Sequence, residues 1–176
     1  MCRDIHELRE MYSLTGSVLV AHPVIQDVAL KKSVILVGEH ADGSISGVQL
    51  NDPCLRFLSD VDPEYYSYQF GDIPVYNGGP YDGNMIVLTA WVFNDRAHQF
   101  ELYYAITPDE ALRLKKKHSN IQLRGFLGYT VIPNISQEID QGFWIVYSAK
   151  DLLGMEAKGN ELWYELVKFK RPNAII

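Results

Sequence analysis

The sequence predicts an α+β fold, and three observations carry that prediction. Short β-branched runs bounded by turn residues outnumber the helical segments, as residues 17–21 and 33–38 illustrate. The predicted strands and helices do not alternate regularly, which argues against a parallel βαβ sheet. Residues 41–44, Ala-Asp-Gly-Ser, and 94–97, Asn-Asp-Arg-Ala, are turn sequences short enough to join neighbouring antiparallel strands.

The first quarter of the chain predicts one helix and three strands. Residues 4–12 place apolar side chains at three- and four-residue spacings, which is typical of a short amphipathic helix. Strands follow at residues 17–21 and 33–38, and the turn at 41–44 returns the chain as a third strand over residues 46–50. Pairing in this region is therefore expected to be antiparallel.

Residues 52–74 break the strand pattern with two Asp-Pro pairs, so we expect a covering loop that holds one helical turn after Pro53. Within this loop, residues 60–72 combine acidic side chains with aromatic rings, and stiff rings near charges are typical of protein-binding surfaces. A lid that packs its rings onto the core is the other interpretation. The candidate partner surface consists of four aromatic residues: Tyr65, Tyr66, Tyr68 and Phe70.

The second half of the chain begins with the clearest hairpin, in which residues 85–93 and 98–105 flank the turn at 94–97. The first of these strands is apolar on both faces, which favours a central, doubly covered position. The next helix is marked by Thr107-Pro-Asp-Glu110, because a threonine cap, a proline at the first helical position and a glutamate three residues after the cap satisfy free amides. This helix is predicted to end near His118.

Four further elements complete the predicted order. Residues 123–131 and 143–148 have strand character, and residues 133–141 between them predict a helix closed by Gly142. Asn160 can cap a last helix, whose apolar side chains recur at spacings that place them on one face.

Length and composition indicate one ordinary globular domain. The chain has 176 residues, of which 47% are hydrophobic and 22% charged, enough to form a single core. A formal net charge of −6 opposes the phosphate backbone, so direct binding of nucleic acid is not expected. No apolar run reaches the length of a membrane span, and the first residues lack the pattern of a signal peptide, so we expect a cytoplasmic protein without membrane contact. Cys2 and Cys54 are expected to be free thiols.

Several phrases of the sequence look like buried strands closed by glycine and proline turns. In the first half they are Gly16-Ser-Val-Leu-Val-Ala-His-Pro23, Ser33-Val-Ile-Leu-Val-Gly-Glu-His40, Gly47-Val-Gln-Leu-Asn51 and Val75-Tyr-Asn-Gly-Gly-Pro80. In the second half they are Gly125-Phe-Leu-Gly-Tyr129, Gln137-Glu-Ile139 and Phe143-Trp-Ile145. In order and spacing, these phrases resemble the YqgE/AlgH family of bacterial proteins.

The resemblance implies a particular version of the α+β class. Members of that family look like a branched, mostly antiparallel sheet folded into a pseudo-barrel, with helices packed outside. For this chain it implies a single domain over residues 1–176, made of an N-terminal helical arm (1–14), a family core (15–148) and a C-terminal helix (149–176). The family has no established biochemical activity, so the resemblance implies no reaction.

The chain departs from the family pattern at three places. Ser44 and Ile45 replace a usual Gly-Ala pair, and Thr89 stands where members often carry a histidine in the strand after the Gly-Gly-Pro turn. Residues 131–136 lack a Gly-Trp pair and the first glutamate of a helix motif. We therefore expect the chain to be a divergent member, in which any function of these positions in the family is altered.

Few side chains have both a reactive or ligand-binding group and a position that could form a site. Glu39 and His40 form the most tempting pair, because a histidine beside carboxylates can be a general base or a ligand. Neighbouring strand residues point to opposite faces, however, which favours a strand-end pair that bonds the adjacent turn. His22 is a ligand or base if it meets His40 across the sheet, and otherwise a polar strand terminus.

The glycine-rich turn at residues 77–80 offers a second kind of chemistry, because successive backbone amides can bind an anion; the alternative is a tight turn between strands. Asn51, the last residue of the phrase Gly47-Val-Gln-Leu-Asn51, is also a candidate ligand-binding residue. The candidate ligand-binding residues are His22, Glu39, His40, Asn51, Asn77, Gly78 and Gly79.

No metal, cofactor or catalytic residue is assigned, because the sequence has no close His-x-His or Cys-x-x-Cys spacing and no glycine motif of the nucleotide-binding type. We expect a non-enzymatic protein that binds an unknown protein or small molecule, or regulates indirectly, and self-association into a homo-oligomer stays open. The alternative is a small hydrolase or ligand-sensing enzyme, in which His22, Glu39 and His40 converge near the Gly78-Gly79 turn.

Overall fold

A computed structural model of the chain describes residues 13–66, 68–94, 99–153 and 159–174. The amphipathic helix predicted for residues 4–12 lies outside the described residues. So do Cys2 and most of the turn predicted at 94–97.

Within the described residues the chain forms nine strands and five α-helices. The strands are β1 (Ser17–Ala21), β2 (Val34–Ala41), β3 (Ser44–Gln49), β4 (Pro53–Phe57), β5 (Pro74–Asn77), β6 (Tyr81–Asn94), β7 (Gln99–Tyr103), β8 (Gln122–Ile132) and β9 (Trp144–Ser148). The helices are α1 (Leu58–Val61), α2 (Pro108–Lys117), α3 (Ile135–Asp140), α4 (Ala149–Leu152) and α5 (Asn160–Ala174), with a 3-10 turn at Pro63–Tyr66.

The strands are hydrogen-bonded in the order β4-β5-β8-β3-β2-β1-β9, and β6 pairs with both β7 and β8. All of these pairs are antiparallel except β5 with β8. The sheet branches at β8, which pairs with β3, β5 and β6. Among the described strands β4, β7 and β9 have one partner each, so the pairing is not closed into a barrel. The predicted class, α+β with a branched, mostly antiparallel sheet, is confirmed.

The chain divides into two compact units. Unit 1 contains Met1–Asn51 and Thr130–Ile176. Alternate residues of its strands, such as Leu19 and Ile35, form a buried cluster with Ile135 of α3 and Trp144 of β9. The intervening residues of β1 are also fully buried, so this strand is covered on both faces.

Helix α5 belongs to unit 1 and packs on β1. Its apolar side chains Leu162, Trp163, Leu166 and Val167 are buried. The indole Nε1 of Trp163 donates to the carbonyl oxygen of Ala21 at 2.7 Å. The stripe predicted from helical spacing is therefore the face that anchors this helix.

Unit 2 contains Asp52–Tyr129 and has its own core. Leu58, Val75, Leu88 and Ala111 bring α1, β5, β6 and α2 together in one buried cluster. Helix α2 begins as the sequence predicts, because Thr107 Oγ1 accepts a hydrogen bond from the Glu110 backbone at 3.1 Å.

The segment predicted as a covering loop contains structure that the sequence analysis did not assign. Strand β4 occupies the place where the sequence predicts a helical turn after Pro53, and it is largely exposed, with a register shift between Pro53 and Arg56. Strand β5 follows at the end of the segment, in the phrase from Val75 that the sequence predicts to be a buried strand. Leu55 has a positive φ of 58° and is 95% exposed. Such an irregular edge strand carries no alternation of apolar and polar residues from which it could be predicted.

A close backbone approach in unit 2 gives a test of this packing. A Cβ atom on Gly78 would overlap the carbonyl oxygen of Gly128. We expect Gly78→Ala to lower the free energy of unfolding by about 2–3 kcal/mol, because backbone cannot move aside as a flexible side chain can. Urea unfolding followed by tryptophan fluorescence measures the effect.

Gly83→Ala is the matched control, since no heavy atom lies within 4 Å of its added Cβ. This variant should stay within about 0.5 kcal/mol of the parent protein. Equal losses in the two variants would show that the approach at Gly78 is not tight.

Candidate functional site

His22 follows β1 and is used by the turn after it. Its Nδ1 accepts a hydrogen bond from the backbone N–H of Val24 at 3.0 Å. Its own backbone N–H donates to the carbonyl oxygen of Phe143 at 2.9 Å, and its carbonyl accepts from Ile25 at 3.0 Å. These contacts agree with the interpretation of His22 as a polar strand terminus.

Glu39 and His40 lie near the end of β2, just after a register shift between Val37 and Glu39. Glu39 is exposed and His40 is half-buried. As neighbours in a strand they point to opposite faces, so they do not act as one unit. His40 Nδ1 accepts a hydrogen bond from the backbone N–H of Leu14 at 3.0 Å.

The two histidines stand at opposite ends of the β1–β2 pair. Val20 is paired with Val34, and His22 continues beyond that end of the ladder. His40 is bonded to Leu14, beyond the other end. With a rise of about 3.3 Å per strand residue, the two ends are roughly 20 Å apart. The convergence of His22 with His40 that the enzyme alternative required does not occur.

Asn51 is a structural residue rather than an open ligand-binding group. It is 7% exposed. Its Oδ1 accepts a hydrogen bond from the backbone N–H of Val34 at 3.1 Å, and its Nδ2 donates to the carbonyl oxygen of Lys32 at 2.8 Å. The side chain therefore ties the chain after β3 to the start of β2.

The turn formed by Asn77, Gly78 and Gly79 belongs to unit 2. The backbone N–H of Asn77 donates to Asp52 at 2.8 Å, and that of Gly78 donates to Leu127 at 2.7 Å. Two of the amides that were candidates for binding an anion are thus already used. The tight-turn interpretation fits their geometry.

In the loop of residues 60–72, most of the described aromatic rings point inward. Tyr65 is 8% exposed and Phe70 is fully buried, both in the core of unit 2. Tyr68 is half-buried and stacks on Phe70, with ring centroids 6.4 Å apart. Burial, followed by the nearby carboxylates, raises the pKa of the Tyr65 hydroxyl. Tyr65 and Phe70 contribute to a lid over the core rather than to an open surface, and the side chain of Tyr66 lies outside the described part.

A cavity of about 450 Å³ lies in unit 1. Helix α3 supplies two residues one turn apart, and β1, β2 and β9 supply one each. The described residues that line it are Ser13, Leu14, Ser17, His40, Ser136, Ile139 and Val146. Apolar walls with a few polar groups are typical of small-molecule sites.

The hydrogen bond from Leu14 fixes the form of the His40 ring. A neutral imidazole whose Nδ1 accepts a hydrogen bond carries its proton on Nε2. His40 can therefore offer the cavity a donor. Of the candidate residues predicted from the sequence, His40 lines this cavity and the others do not.

A second cluster of side chains, which the sequence analysis missed, surrounds Arg124 on β5, β6 and β8 of unit 2. The Cζ atom of Arg124 is 4.2 Å from the ring centroid of Tyr76 and 5.2 Å from that of Trp91. Thr89 is paired with Arg124 across the two strands. Burial lowers the pKa of the Arg124 guanidinium. The available signal was a single charged residue inside the otherwise uncharged run 121–132.

In the described ranges, no cluster of three or more His, Cys, Asp or Glu side chains is placed to hold a metal ion. Cys54 is a half-buried free thiol. No helix among the described residues is long and apolar enough to cross a membrane.

Comparison with known proteins gives a consistent result. The family DUF179, described as AlgH-like, matches residues 18–173. A UPF0301 protein of Bacteroides fragilis is 23% identical over 158 residues, covering 85% of this chain and 79% of the relative. A UPF0301 protein of Bacteroides thetaiotaomicron is 22% identical over 167 residues, covering 87% of this chain and 81% of the relative.

Two solved structures are similar in fold. A crystal structure of a protein from Corynebacterium diphtheriae has a TM-score of 0.64 at 24% identity, covering 97% of this chain and 90% of that one. The solution structure of the AlgH protein from Pseudomonas aeruginosa has a TM-score of 0.60 at 16% identity, covering 97% and 92%. At these identities the likeness shows the fold alone.

The structural role of Asn51 can be tested by truncation. Asn51→Ala leaves the Val34 N–H and the Lys32 carbonyl without their side-chain partner. We expect a loss of about 1–3 kcal/mol in the free energy of unfolding, because an unpaired buried polar group is costly. Urea unfolding provides the measurement.

Asn77→Ala is the control for that truncation, since the Asn77 side chain is exposed. It should change stability by less than about 0.5 kcal/mol. A neutral effect of Asn51→Ala would instead return Asn51 to the list of free ligand-binding candidates.

Proposed function

Because the chain belongs to the AlgH-like family, whose members have no assigned activity, we propose a function from its own geometry: it is a non-enzymatic binding protein that takes a small, largely apolar molecule in the cavity beside His40. Family membership supplies the fold and no reaction. The observation that carries the proposal is the lining of the cavity in unit 1.

The cavity fits a ligand about the size of a metabolite. Its volume of about 450 Å³ falls in the usual range for small-molecule sites. Leu14, Ile139 and Val146 offer apolar contact, while the Nε2–H of His40 offers a donor. A ligand with an apolar body and one hydrogen-bond acceptor is complementary to this lining.

The hydrogen bond at His40 Nδ1 also supports a binding role over catalysis. A histidine that activates a serine accepts the hydroxyl proton on one ring nitrogen, while a carboxylate orients the ring through the N–H of the other. In His40 the Nδ1 atom is taken by Leu14 N–H, so Nε2 carries the proton and cannot accept one. The serines of the cavity therefore have no base in His40 in this arrangement.

We further propose that the protein acts in the cytoplasm and that any regulatory effect is indirect. The net charge of −6 disfavours contact with DNA. A ligand-dependent contact with another protein is the simplest route for such an effect. Self-association would offer a second route.

The cavity proposal is tested with benzamide, which has an apolar ring and a carbonyl acceptor. Titration followed by ¹H–¹⁵N NMR should shift the backbone signals of Leu14, Ser17 and His40 together, with one dissociation constant. Val146 is 40% exposed and lines the cavity, so Val146→Phe should fill it and weaken binding by about tenfold or more.

Val24→Phe is the matched control, because Val24 is 54% exposed in unit 1 and does not line the cavity. It should leave the benzamide titration unchanged. Absence of saturable shifts at the three signals, or equal weakening by both variants, contradicts the assignment of this cavity.

A further inference from the structure

Arg124 belongs to a buried polar cluster that the proposed function does not use. Cross-strand partners share a face of the sheet, so Thr89 and Arg124 lie on the same side of β6 and β8. Trp91, two residues from Thr89, lies on that side as well. Thr89 is fully buried, Trp91 is 3% exposed, and Tyr76 is 5% exposed.

The hydrogen-bonding capacity of this cluster is unfilled. Thr89 Oγ1 and Trp91 Nε1 are buried without a hydrogen-bond partner. The guanidinium of Arg124 forms no ion pair or hydrogen bond with any residue in the described ranges, and it lies against the rings of Tyr76 and Trp91. Buried polar groups in proteins nearly always have partners, so two such groups beside the half-buried guanidinium of Arg124 call for an occupant.

The other two tryptophans have indole N–H groups with hydrogen-bond acceptors. Trp144 Nε1 donates to Glu138 at 3.2 Å, and Trp163 Nε1 donates to Ala21 at 2.7 Å. Trp91 alone among the three has a buried indole N–H without an acceptor. The missing acceptor therefore belongs to the surroundings of Arg124.

The chemistry of the cluster selects an anion. Arg124 and Trp91 have only donors, and the hydroxyl of Thr89 can donate as well. The rings of Tyr76 and Trp91 neighbour the guanidinium, a contact in which its planar edge remains suited to a bidentate partner. An anion that receives the guanidinium edge, the hydroxyl and the indole N–H would satisfy all three groups.

We propose that Arg124, Thr89 and Trp91 form a binding site for a small free carboxylate, of the size of formate or acetate. A carboxylate carries one negative charge, which balances the single charge of Arg124, whereas a phosphate dianion would leave one buried charge uncompensated. Because Thr89 and Trp91 are buried, a free acid fits the site and the carboxylate of a partner protein does not. This site lies in unit 2 and does not depend on the cavity beside His40.

The three indole N–H signals provide an internal test. In ¹H–¹⁵N spectra, formate or acetate added at constant ionic strength should shift the Trp91 signal saturably. The Trp144 and Trp163 signals, whose N–H groups already have acceptors, should stay in place. Tryptophan-to-phenylalanine variants assign the signals, and the Arg124 Nε–H signal should report the same dissociation constant.

Side-chain variants identify the groups that bind. Arg124→Lys removes the planar fork and keeps the charge, so affinity for formate should fall by about tenfold. Thr89→Val removes one donor to a charged group and should weaken binding by about five- to tenfold. Arg113→Lys is the control, because Arg113 is exposed on α2 and should not affect the titration.

The outcome is decisive even if a variant fails to fold, since the titration of the unaltered protein stands by itself. A Trp91 response to formate or acetate that chloride does not produce supports the site. No specific response, or shifts of all three indole signals together, overturns it. Tighter binding of inorganic phosphate than of either carboxylate overturns the assignment to carboxylates.

Discussion

Strand β8 is the element on which the sheet depends, because it pairs with β3, β5 and β6 along one continuous stretch. That role requires little side-chain volume at particular points. A Cβ on Gly125 would come within 2.6 Å of Leu58 of α1, and Gly128 has a positive φ of 72° beside the carbonyl of Gly79. Gly125 therefore leaves room for the Leu58 side chain, and Gly128 lets neighbouring backbone approach β8 closely.

Local patterns in the sequence predicted those parts of the fold whose cause is local. The capping box at Thr107 and the positive φ of Gly142 after α3 both depend on a few adjacent residues, and the structure has both. Strand β4 could not be found in this way, since it is an irregular, exposed edge whose order comes from pairing with β5. Pairing is a property of the whole chain and leaves no pattern within β4 itself.

The same distinction separates the candidate residues that the sequence identified from the ones it missed. His40 drew notice as a titratable side chain at a strand end, but its state is set by the backbone of Leu14, twenty-six positions earlier. Arg124 became a candidate only because the register of β6 and β8 places Thr89 opposite it. The chemistry of each group was visible in the sequence, whereas its partner was not.

Hydrogen bonds and position together divide these polar groups by role. Asn51 has both amide atoms bonded to backbone groups, and the Nδ1 atom of His22 is bonded to the turn after β1. His40 also has Nδ1 bonded to the backbone, but unlike His22 it lines the cavity of unit 1. Because an unpaired buried donor is costly, a fold that keeps such donors together at Thr89 and Trp91 is stabilised by whatever supplies the missing acceptor. Binding and stability are then linked at that cluster, which lies on the face of β6 opposite to Leu88 and the core cluster of unit 2.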